Sequence, residues 1–135
     1  MKVLNIEPIL ITVDELKDTK KIAMLVGMGT PIALLEKCFD IELINALELL
    51  ERTIGSKIDC LTPVETGAFN TMMPIYAGAK KGLPILDANG AGRAVPELEM
   101  LMFHFYDIPP SPFAIADKKA IKLLFILKIL MTART

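Results

Sequence analysis

The sequence predicts an α/β domain, with a mostly parallel sheet built from βαβ units. Three observations predict it. Segments of strand and helix character alternate along the chain, as they do where crossover helices join parallel strands. The run Ile22-Ala23-Met24-Leu25-Val26, entered from Lys21, is apolar at every position. A strand covered on both faces reads this way, whereas a half-exposed strand alternates. Glycines and polar residues gather where such strands would end: Gly27-Met28-Gly29-Thr30, Glu65 to Asn70, and Asp87 to Arg93. The chain has 135 residues, a length suited to a single domain with one core.

The first strand, 21–26, ends at the Gly27–Pro31 turn. Thr30 suits the N-cap of a following helix and Pro31 its first position, where the missing N–H costs nothing. That helix carries Ile32, Leu34 and Leu35 and stops between Cys38 and Asp40. A second helix runs from about Ile41 to Thr53 with Asp40 as N-cap. Ile41, Ile44, Leu47, Leu50 and Ile54 recur at three- and four-residue steps, and Gly55 ends it. Ile58 to Thr62 is the next strand. A helix is expected from about Asn70 to Lys81, with Pro74 near its start or at a kink. Gly82 closes it, and Pro84-Ile85-Leu86 begins a further strand. Pro96 opens a helix reaching Phe105, and Ile108-Pro109-Pro110-Ser111-Pro112 is an extended linker. The segment Ala120 to Met131 is apolar except for Lys122 and Lys128. Its 12 residues are too few to span a bilayer, which takes about 20, so core strand, core helix and interface segment stay open.

Composition excludes several functions. The net charge is −1, from 15 basic and 16 acidic residues, with no basic stripe for nucleic acid. Cys38 and Cys60 lack CxxC spacing and His104 is the one histidine, so a Cys/His zinc cage cannot be assembled. The opening residues, Met1 to Glu7, lack the apolar core of a secretory signal, and a cytoplasmic, non-membrane protein is expected. Hydrophobic residues make up 53% of the chain, and the mean hydropathy is +0.47. That excess over one small core predicts a homo-oligomer, with a two-fold dimer as the commonest solution.

The densest candidate site lies between Leu86 and Leu98. Asp87, Asn89, Arg93 and Glu97 fall within 11 residues, spaced by Gly90 and Gly92. Glycines let a backbone approach a ligand closely, and ligands of open α/β sheets collect at the carboxyl ends of strands. The plainer alternative makes Asp87 or Asn89 a helix cap and pairs Arg93 with Glu97. The Gly27 and Gly29 turn offers backbone N–H groups to an anion or a carbonyl oxygen, although it also reads as a simple tight turn. It lacks the third glycine of a dinucleotide fingerprint, and no phosphate-loop lysine follows, so neither nucleotide motif is claimed and the cofactor stays unknown. Glu65 suits a general base or metal ligand, or a carboxylate favoured by a helix N-terminus. Cys60, inside a strand, is expected to be an inert core thiol. His104 is expected to be a partly buried structural residue, and Met72, Met73, Met100 and Met102 are expected to fill the core.

These blocks in succession resemble one family. Gly27-Met28-Gly29-Thr30-Pro31 with Glu36-Lys37, Pro63-Val64-Glu65-Thr66-Gly67 with Asn70 and Pro74, Gly82-Leu83-Pro84, and Asp87 to Glu97 are similar to the N-terminal domain of S-methyl-thiohydantoin desulfurase-like proteins. Phe103-His104 and Ile115-Ala116-Asp117-Lys118 also fit, so the likeness covers about residues 23–117. Asn89 stands where an aspartate is common and Ala68 where a second glycine is usual. A glycine-rich upstream segment and a second domain are expected to lie outside this chain, as in a truncated or split member.

The resemblance implies a hydrolase of hydantoin-like or S-methyl-thiohydantoin cyclic amides. Glu65 or Asp87 would activate water, Arg93 would stabilise charge, and Gly27, Gly29, Asn70 and Asn89 would bind a small-molecule substrate. A divalent metal held by carboxylates is left open. The alternative is a non-catalytic small-molecule-binding or assembly module that keeps the same pocket.

Overall fold

A computed structural model describes residues 7–17, 20–27, 41–116 and 122–125. The helix expected over 30–40, Gly29, and the apolar segment past Phe125 lie outside the described residues. Four strands, β1 (Leu10–Ile11), β2 (Ile22–Leu25), β3 (Cys60–Pro63) and β4 (Ile85–Leu86), form one parallel sheet in the order β1-β4-β3-β2. The expected α/β architecture is present. Ile22 pairs with Cys60 and Leu25 with Pro63, while Leu61 faces Ile85.

Helix α1 (Ile41–Ile54) joins β2 to β3, and α2 (Ala68–Lys81) joins β3 to β4. In α1 the buried stripe is Leu43 and Leu47, flanked by the partly buried Ile44, Leu50 and Ile54. Ile41, which shares their spacing, is exposed. Helix α2 begins at Ala68, earlier than expected, and ends at Gly82, whose φ of 68° lets its N–H reach the Gly78 carbonyl. Pro74 lies inside this helix and is fully buried. Having no N–H, it leaves the Asn70 carbonyl without the donor a regular helix would supply.

Both helices bury their apolar faces in one cluster with the sheet residues Ala23, Leu25, Leu61 and Ile85. Gly78 permits this closeness. A Cβ there would lie 2.4 Å from Ile85 Cδ1 and 2.7 Å from the Leu83 carbonyl oxygen. At the amino edge of the sheet, Asp59 ties β2 to β3 by accepting hydrogen bonds from the Lys21 N–H (2.9 Å) and Lys20 Nζ (3.1 Å).

Three segments differ from the sequence-based expectation. The helix expected from Pro96 to Phe105 is a 3₁₀ turn (Leu98–Met100) followed by the four-residue α3 (Met102–Phe105). Leu101 separates them with extended backbone (ψ 146°), and it is one of the most buried residues of the region, at 3% exposure. Burial of that side chain, together with the bond from the Met102 N–H to the Gly90 carbonyl (2.8 Å), outweighs helical continuity. Strand β1 was not anticipated, because two residues carry no periodicity. Beyond the extended linker, β5 (Phe113–Ala116) and β6 (Lys122–Phe125) form an antiparallel pair that packs against α1. The start of the apolar tail is therefore a strand. No helix among the described residues is long and apolar enough to cross a membrane.

Candidate functional site

Because the strands of the main sheet are parallel, their carboxyl ends share one edge. Gly27 lies two residues past β2, Glu65 two residues past β3, and Asp87 directly follows β4. The described parts of the loops expected to converge do so, and a chain of hydrogen bonds connects them. The Gly27 N–H donates to Asn70 Oδ1 (3.0 Å), and Asn70 Nδ2 donates to Glu65 Oε1 (2.7 Å). The Val95 N–H donates to Glu65 Oε2 (3.0 Å). Glu65 is only 9% exposed, so these bonds carry much of its solvation. Asn70 reaches both partners because it lies in the first turn of α2, and Glu65 stands just before the Gly67 N-cap.

The loop after β4 is anchored at several points. The Asp87 N–H donates to the Ile11 carbonyl (2.8 Å), and the Thr62 hydroxyl donates to the Ala88 carbonyl (2.6 Å). The Gly90 N–H donates to the Val64 carbonyl (3.0 Å). A Cβ at Gly90 would lie 3.0 Å from Phe103, 3.1 Å from that same carbonyl and 3.2 Å from Met24 Sδ, so the position admits little more than hydrogen. Asn89 Oδ1 accepts the N–H groups of Ala91 and Gly92, and Gly92 has φ of 73°. This side chain shapes its own turn. Arg93 follows, and Asp87 precedes. Both are exposed, and neither side chain makes a hydrogen bond or ion pair with the described residues.

The predicted residues thus fall into two groups. Gly27, Asn70 and Glu65 are bonded to one another, while Asp87, Asn89 and Arg93 share the adjoining loop with their polar atoms outside that chain of bonds. Asp87 caps no helix and Arg93 forms no ion pair with Glu97. Sequence reasoning missed the Val95 N–H and the Thr62 hydroxyl. A threonine at a strand end before a polar loop was the available hint for the second, and a backbone N–H has no signal in sequence. Among the described residues no three His, Cys, Asp or Glu side chains gather to hold a metal ion.

Cys60 is buried in β3, and burial pushes its thiol above the usual range, as suits an inert core residue. His104 is exposed, its ring edge-on to Phe105 at 6.4 Å, and not partly buried as expected. Met72, Met100 and Met102 are exposed as well, and of the four only Met73 joins the core.

The family model described as S-Me-THD-like, N-terminal domain, matches residues 2–125. No curated protein matches the chain. The crystal structure of a protein from Chromobacterium violaceum is similar at a TM-score of 0.80 and 27% sequence identity, over 95% of this chain. The chain spans 35% of the length of that protein.

Proposed function

Since this chain belongs to the S-Me-THD-like N-terminal domain family, we propose that its carboxyl-edge site takes a hydantoin-like ring, with an S-methyl-thiohydantoin as the reactive form, and hydrolyses it. One observation carries the reading. Asp87 and Arg93, a carboxylate and a guanidinium without partners among the described residues, flank a loop anchored to β3 and β1. An exposed carboxylate with unoccupied lone pairs can take a proton from water. The water oxygen then bonds to the ring carbon that carries the S-methyl group, and the C–S bond breaks. Methanethiol leaves with the proton returned by the Asp87 carboxyl, the second water proton passes to the ring nitrogen as its C=N double bond is lost, and the ring keeps a carbonyl in place of the thioether. Arg93 supplies N–H donors to the charge that builds on the ring heteroatoms. This chain spans 35% of the length of the protein from Chromobacterium violaceum, and the activity of a longer protein as a whole belongs to the same proposal.

A panel of S-alkyl-thiohydantoins and hydantoins tests this, with thiol release and ring opening as readouts. Turnover is expected from the wild type, and Asp87→Asn should lower kcat by roughly 100-fold or more, as removal of a general base does. A folded protein inert across the panel, supplied with divalent metal, sinks the enzyme reading. The engagement of Glu65 with Asn70 and backbone favours a second reading, a binding module that holds the ring without cleaving it. Thermal shift by hydantoins without turnover would select it.

A further inference from the structure

The hydrogen bonds around Glu65 have a fixed polarity for as long as Asn70 is its neighbour. The Gly27 N–H can only donate, so the oxygen of the Asn70 amide must face it, at 3.0 Å. The amide nitrogen of Asn70 is then turned to Glu65 Oε1, at 2.7 Å. On the other side the Val95 N–H, again a donor only, meets Glu65 Oε2 at 3.0 Å. Position 65 is therefore flanked by donors and needs an acceptor on each side. A carboxylate has two, whereas an amide of the same shape has one and would set N–H against N–H. At 9% exposure little water can take over either bond.

We infer that Glu65 is a positioning residue: its carboxylate is the central strut of a latch, Gly27–Asn70–Glu65–Val95, that holds the loops after β2, β3 and β4 in one alignment. The partners are 43, 5 and 30 residues apart in sequence, so the latch joins segments that no local structure would hold together. What the loops are aligned for rests on the functional reading above, while the latch itself stands on the hydrogen bonds. Proton transfer is left to Asp87, and the Glu65 carboxylate serves geometry.

The polarity also supplies the test. Moving the carboxylate one step along the latch, with Glu65→Gln and Asn70→Asp together, restores every bond. The Gly27 N–H meets one Asp oxygen, the Gln amide nitrogen donates to the other, and the Gln oxygen accepts from Val95. Either substitution alone breaks the pattern, by opposing two amides or two carboxylates. Melting temperatures and backbone amide exchange are measured on the wild type, both single variants and the double variant. Each single variant should melt lower by roughly 3–10 °C. In Glu65→Gln, protection of the Val95 amide should drop about tenfold or more.

The double variant should recover both quantities, a coupling that independent sites do not show. A Glu65→Gln protein as stable as wild type overturns the latch, as does a double variant that fails to fold or melts at the sum of the single losses. If Glu65→Gln does not fold, a folded double variant is the rescue. Where the wild type turns over S-methyl-thiohydantoin, kcat of the double variant should rise above that of Glu65→Gln. A folded, bond-restored double variant that stays as slow shows that the Glu65 carboxylate itself does chemistry, and overturns the assignment. If the wild type is inert, the functional reading fails while melting and exchange still decide the latch.

Discussion

At the scale of single residues, Asn89 shapes the turn that follows β4. Its Oδ1 accepts the Ala91 and Gly92 N–H groups, and its amide nitrogen donates to none of the described residues. Asp and Asn serve equally as acceptors there. Asn89→Asp should leave stability within about 0.5 kcal/mol of wild type, whereas Asn89→Ala should cost about 1 kcal/mol by releasing two backbone donors. Chemical denaturation of the two variants checks this, and an aspartate as damaging as alanine would show that the amide nitrogen matters. Gly27 is a packing case. A Cβ there would fall 2.3 Å from Phe69 Cε1, so Gly27→Ala must displace the ring on α2. The expected loss is about 1–3 kcal/mol, with a weakened bond to Asn70 visible as faster exchange of the residue 27 amide.

At the scale of elements, junctions between helices and strands hold the site's scaffold. Glu51, in the last turn of α1, is buried and accepts the Ile58 N–H (3.0 Å) ahead of β3 and Lys57 Nζ (2.8 Å). Burial pulls its carboxyl upward, but the Lys57 ammonium and the Ile58 N–H outweigh that and hold it below the ordinary 4.5. A carboxyl whose folded value is depressed binds protons more readily in the unfolded chain. The stability it lends is therefore present above pH 4.5 and lost as pH falls through the lower folded value. Acid titrations followed by circular dichroism should show this loss in wild type and a shallower acid limb in Glu51→Gln. An unchanged limb would remove Glu51 from the cause. The split of the 96–105 segment belongs to the same scale. Leu101 is drawn into the core and the Met102 N–H to Gly90, so tertiary contacts override a locally acceptable helix.

At the scale of the whole molecule, exposed apolar side chains of the described residues gather in two places. Ile9, Leu10 and Val13 are exposed at and beside the edge strand β1, and Met102, Phe105, Tyr106 and Ile108 around α3. An edge strand and apolar side chains of this size predict self-association, in line with the 53% hydrophobic composition. Light scattering at micromolar concentration should give a mass near twice 14.8 kDa, and charged substitutions at Leu10 and Phe105 should lower it if these faces pair. A monodisperse monomer would count against the dimer.

The fold class, the strands at 22–25 and 60–63, the two long helices and the gathering of Gly27, Glu65 and Asp87 at one sheet edge were all legible in the amino-acid sequence. These are legible because apolar runs, helical periodicity and glycine stops are local, and parallel strands leave their carboxyl ends together. Which groups those polar residues bond to depends on contacts between distant segments. Glu65 could equally have been a base, a metal ligand or a helix-end carboxylate, since its partners Asn70 and Val95 are set by folding and one of them is a backbone N–H. The same holds for β1, whose two residues pair with β4 from 75 positions away by register, Leu10 against Ile85. It holds for His104 and Met102 too, exposed because Leu101 and not they turned inward. Burial and hydrogen-bond partnership are properties of contacts between distant segments, and local composition does not carry them.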